Sequence, residues 1–153
     1  MLRRKDFLFN RFVKLIEENH QEITNRFMND LLKHADTAAY RNIDRDFIYE
    51  SSDRIYRDLS KWIAREYPKK KIEERYSTIG KDSYISRIPF HQAQKALVLQ
   101  KRHLWLFVID MLDDDNTMYM EAIELNNRVA LYFDRAIYYM LKGYEKMIYN
   151  DLR

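Results

Sequence analysis

Two glycines and two prolines in 153 residues leave this chain very little with which to turn sharply. Sandwiches and α/β folds spend Gly, Pro, Asn and Asp on many connections, so the scarcity points to a few long helices and few loops. The expected fold is all-α: a compact bundle of about five to six helices with a central apolar helix and a long C-terminal helix. At this length one domain, residues 1–153, can bury a core without staples.

Apolar spacing supplies the elements. Phe9, Phe12, Ile16, Ile23, Phe27 and Leu31 recur at helical intervals, predicting one helix from Asp6 to His34 that runs through Asn19 and His20. Ala35 to Ile43 reads as a loop, and Asp44 suits an N-cap. A second helix is expected over Arg45–Tyr67, ended by Pro68. A shorter one follows with Ile72, Tyr76 and Ile79 inward. Gly80 fits either a helix cap or a close backbone approach, and Pro89 an N1 position. Phe90 to Met111 carries two apolar stripes, Ala93/Leu97/Leu104/Phe107/Val108/Met111 and Val98/Trp105/Ile109/Leu112, which predicts a central helix contacted from both sides. Asp113–Thr117 connects it to a last helix from Thr117 to about Tyr149, roughly 50 Å long. That length exceeds a small bundle, so one end is expected to project or pair, as in a piece of a longer protein.

The absence of cysteine excludes disulfides, thiolate metal sites and Cys nucleophiles. The longest apolar run, Leu104–Ile109, is six residues, far short of the about 20 that span a membrane. Met1–Lys5 is basic like a signal-peptide start, but Asn10 and Arg11 break any apolar region after it. A cytoplasmic location is expected. Net charge is +3 with interleaved signs, and the one dense basic run, Lys69–Lys71, reads as a solvated helix face rather than a nucleic-acid site.

Glu17–His20 is a Glu-x-x-His, but His34, His91 and His103 follow Leu31, Ile88 and Gln100, so the second motif of a di-iron bundle is missing. Haem is the runner-up cofactor: a globin-like pocket needs a proximal histidine, and His103 or His20 are the candidates. The alternative is that His103 bonds a neighbour. Asp113–Asp115 lacks the spacing and glycine of a calcium loop. No nucleophile elbow, phosphate loop or zinc spacing is present, and nothing indicates an enzyme. Twelve tyrosines, eight phenylalanines and two tryptophans exceed the needs of a small core. Tyrosine suits a half-wet interface, which makes Tyr132, Tyr139 and Tyr144 of the last helix candidates for contact with a partner.

One stretch carries a family likeness. Ile79-Gly80, Tyr84, Ile88-Pro89-Phe90, Leu97 and Leu104-Trp105 resemble the N-terminal sensor domain of RsbRD-type, stressosome-related regulators. Leu15–Asn19, Ile23 and Phe27 resemble that family's first helix. Similar domains precede histidine-kinase, STAS and other output modules. The resemblance implies a non-catalytic input domain that senses through its helices and signals through its C-terminal one; with a terminal helix still periodic at Met147 and Ile148, it leads to the expectation of a homodimer and an output module as partners. Two positions depart from the pattern. Ser83 stands where the family tends to have arginine, and Arg87 where it tends to have glycine. Gly80, Tyr84, Arg87, Pro89, His103 and Trp105 are the pocket or hinge candidates. A structural bundle without a ligand is the further alternative.

Overall fold

A computed structural model describes residues 4–64, 69–112 and 119–153, with side chains from Asn10 onward. The described residues form helices α1 (Arg4–Glu18), α2 (His20–Lys33), a 3-10 helix (Ala35–Asn42), α3 (Arg45–Arg57), α4 (Leu59–Trp62), α5 (Lys69–Ile85), α6 (Phe90–Leu112) and α7 (Tyr119–Asp151). The class is all-α, but seven α-helices and a 3-10 helix replace the expected five to six. The stop at Pro68 and the Asp113–Thr117 connection lie outside the described residues.

The extra elements come from single-residue breaks. At Asn19 (φ −111°, ψ 22°) the side-chain amide donates to the Leu15 carbonyl at 2.7 Å, competing with the helix's own ladder. Asp58 (φ −113°, ψ 29°) breaks the second expected helix. There the Trp62 indole N–H donates back to the Arg54 carbonyl at 3.3 Å. The expected loop at 35–43 is mostly 3-10 helix, held by Thr37 Oγ1 donating to the Leu31 carbonyl at 2.6 Å. Asp44 caps α3 as expected, accepting from the Asp46 amide at 3.1 Å.

The corner between α5 and α6 is a Schellman turn. The Ile88 amide donates to Ser83 O and the Arg87 amide to Tyr84 O, both at 3.0 Å. Arg87 takes the left-handed conformation at φ 61°, the geometry glycine adopts freely and other residues at about 1 kcal/mol. Pro89 then acts as N-cap, one residue before the expected N1: its carbonyl accepts from Ala93 at 3.1 Å.

Helix α6 is central, touching α1, α2, α7 and the 3-10 helix. Its first stripe is inward at Ala93, Leu97, Leu104 and Val108, but the second is split. Leu112 is buried, whereas Val98 and Ile109 face solvent at 40% and 47% exposure. Helix α7, 33 residues long, is the spine, buried along one face from Glu121 to Tyr144, with Met147 and Ile148 half-buried in its last two turns.

Helix α5 lies along α7, and both glycines of the chain sit at that crossing. A Cβ on Gly80 would stand 2.0 Å from the Met140 carbonyl oxygen, and one on Gly143 2.3 Å from that of Ser77. Gly80 is therefore not a cap but the close backbone approach. The apolar interior divides into a large cluster, centred on α6 and α7, and a small one of Phe27, Met28, Leu31, Ile48, Ala96 and Leu99.

Candidate functional site

The two apolar clusters do not merge. Between them lies a cavity of about 120 Å³, walled by Phe27, Leu31, Ile48 and Ala96 of the small cluster and by Ile55, Tyr76, Leu97 and Met140 of the large one. Its floor is fixed by buried polar bonds. Tyr56 Oη donates to the Gln100 carbonyl at 2.6 Å, and Gln100 Nε2 donates to the Ser52 carbonyl at 2.8 Å. These bonds tie α3 to α6. Burial pushes the Tyr56 phenol well above its ordinary range, so it stays a neutral donor.

Phe47, Ser51, Arg75 and Ile79 line both this cavity and an open groove outside it. They form its mouth. Arg75 bridges the mouth from α5, donating from a terminal guanidinium nitrogen to the Ser51 carbonyl of α3 at 3.1 Å. Its guanidinium also lies 5.1 Å from the Trp62 ring centroid and 5.7 Å from that of Tyr76. Phe47 stands beside it at 62% exposure.

None of the six pocket or hinge candidates lines this cavity. Their neighbours Ile79, Asp82, Ser83, Ser86 and Ile88 do. The Ile79–Phe90 stretch thus walls the site with one face, at helical spacing, and turns Gly80, Tyr84, Arg87 and Pro89 elsewhere. Gly80 faces α7. Tyr84, Arg87 and Pro89 gather with Tyr144 and Asp151 around an open surface depression. There the Tyr84 hydroxyl donates to Asp151, a bond that raises its pKa, and the Tyr144 hydroxyl donates to the Ile88 carbonyl at 2.6 Å. The rings of Tyr84 and Phe90 meet Tyr144 edge-on at 5.5 and 5.0 Å. Trp105 is half-buried against the large cluster.

His103 bonds a neighbour: its Nε2 lies 2.8 Å from Asp30 Oδ2, joining α6 to α2. His20 Nδ1 lies 2.7 Å from Asp53 Oδ1, and this buried carboxylate also accepts from Thr24 Oγ1 at 2.7 Å. Neither histidine lines the apolar cavity. No group of three or more potential metal ligands occurs among the described residues.

The candidate interface tyrosines are corrected by their burial. Tyr132, Tyr139 and Tyr144 are 2%, 7% and 8% exposed, packed into the chain's own core, and Tyr132 shares a hydroxyl hydrogen bond with Tyr76 of α5. The aromatic residues of α7 that do face outward are Tyr119, Tyr138 and Tyr149.

Sequence spacing missed Arg75, Gln100 and Asp53. Gln100 had a signal, a lone amide among inward residues of α6. Arg75 had none, because it follows a basic run and reads as surface. No family model, curated protein or solved structure matches the chain. Nor is any helix among the described residues long and apolar enough to cross a membrane.

Proposed function

We propose that this chain is a non-catalytic, cytoplasmic signal-input domain that senses through the cavity and passes a rearrangement along α7 to an output module. One observation carries the reading. The cavity wall formed by α5 rests on α7 backbone to backbone at Gly80 and Gly143, with no side chain between them to absorb a displacement. Tightly packed interiors transmit strain rather than damp it. A shift of α5 is therefore felt at Met140 and Tyr144, and through the Tyr84–Asp151 bond at the last turn of α7. The likeness of Ile79–Phe90 to RsbRD-type sensor domains supports the same reading, and the left-handed Arg87, where that pattern has glycine, is consistent with it.

The exposed face of α7 suits a second copy of the chain, giving a dimer in which each terminal helix leads to its own output module. The haem alternative asks for a histidine facing the cavity. His20 and His103 are instead held by Asp53 and Asp30.

The test fills the cavity from its wall. Ala96→Leu adds three carbons at a residue that lines it. Amide spectra of this variant are expected to change at Ser83 and onward at Tyr144, Asn150 and Asp151. Changes confined to the immediate neighbours of residue 96 would contradict the reading.

A further inference from the structure

The mouth of the cavity holds a feature that packing alone does not explain. Arg75 Nε is buried and has no hydrogen-bond partner. One terminal nitrogen of the guanidinium reaches the Ser51 carbonyl, and no carboxylate among the described residues pairs with the charge. Glu50, which lines the same outer groove, pairs with Arg54 at 3.6 Å and Arg57 at 3.5 Å. A buried donor left unmet is costly, and the half-buried guanidinium has no anionic partner among the described residues. Such a site gains most from an anion that supplies the missing acceptor.

The space behind Arg75 sets the rest of that anion. At about 120 Å³ the cavity is slightly smaller than the dry cavity of about 150 Å³ known to take benzene. It is below the several hundred cubic ångströms of pockets for larger ligands. Its wall is mostly hydrocarbon, from Phe27, Leu31, Ile48, Ile55, Ala96 and Leu97. Asp82 also lines it, two turns from Arg75 on α5, about 10 Å along the helix. That carboxylate repels an anionic head from its own end and favours the Arg75 end.

We infer that the cavity binds a small carboxylic acid with a compact apolar body, aromatic or short and branched, its carboxylate on Arg75 and its body between the two clusters. A planar carboxylate matches the guanidinium fork in a way that a neutral hydroxyl does not. This rests on reading the cavity as the sensory site, and it adds the class of ligand.

Calorimetric titration of the intact chain with benzoate, benzyl alcohol and acetate tests it. Benzoate is expected to bind saturably, and benzyl alcohol about tenfold more weakly, the scale of one charge-assisted hydrogen bond. Acetate, a head without a body, is expected to show no saturable binding. Arg75→Gln should bring benzoate down to the level of benzyl alcohol, and Ala96→Leu should weaken both. If Arg75→Gln fails to fold, the acid-to-alcohol ratio of the wild-type chain still decides. Benzyl alcohol or acetate binding as tightly as benzoate overturns the ligand class and leaves the cavity reading standing. Failure of both benzoate and benzyl alcohol to bind overturns the cavity as a sensory site as well.

Discussion

At Gly80 and Gly143 two effects of an added methyl group oppose each other. Alanine favours a helix over glycine by about 1 kcal/mol. Its Cβ, however, would stand 2.0 Å from a backbone oxygen at Gly80 and 2.3 Å at Gly143, where no flexible side chain can yield. Forcing two packed helices apart costs about 1–3 kcal/mol, so the clash wins. Gly80→Ala and Gly143→Ala are each expected to lower stability, by up to about 2 kcal/mol, in denaturant unfolding. An unchanged or raised midpoint would show that α5 and α7 do not touch there. The sequence made Gly80 legible, because a rare glycine needs a reason, and a close backbone approach was one of two. Its counterpart was not, since Gly143 falls in the inward stripe of α7 and reads as one more small core residue. Arg87 was legible only as a departure from a family pattern, since an arginine carries no sign that its φ is positive.

Among the elements, the helices were legible where periodicity ran unbroken, as in α6 and α7, and misread where it ran across a break. Ile16 and Ile23 stay seven apart through Asn19, and Ile55 and Leu59 four apart through Asp58. A one-residue break leaves such spacing intact. The faces of α7 show the opposite difficulty. Its tyrosines lie on several faces, and only packing separates buried Tyr132 from exposed Tyr138. The outward positions follow one stripe containing Met120, Ile123, Leu131, Asp134, Tyr138, Lys142 and Tyr149. A parallel pairing of two such helices stacks Asp134 on Asp134 and Lys142 on Lys142. An antiparallel pairing about Asp134 and Arg135 sets Leu131 against the Tyr138 of a second copy, and Asp134 against its Arg135. Both pairings are isologous, as a closed dimer requires, and the antiparallel one avoids the stacked like charges. Sedimentation velocity is expected to show a dimer that Leu131→Lys converts to monomer. A wild-type monomer, or a dimer indifferent to that substitution, would contradict the antiparallel pairing.

For the whole molecule, the division of the interior into two clusters decides where a ligand can sit. Sequence periodicity marks residues as inward, but it does not say which inward residues meet. Phe27 and Leu31 belong to the same stripe as Phe12, Ile16 and Ile23, yet they fall in the smaller cluster and those three in the larger. The cavity lies on that seam, so the fold class could be foreseen and the site could not. The proposed output path runs from the seam through α5 to the end of α7. Because the chain has no cysteine, spin labels can be attached solely at introduced Arg102→Cys and Asn150→Cys, exposed positions on α6 and α7. The measurement is the distance distribution between them by pulsed dipolar resonance, with Ala96 retained and with Ala96→Leu filling the cavity. The distribution is expected to move when the cavity is filled. Superimposable distributions from two folded proteins would contradict a cavity coupled to the terminal helix.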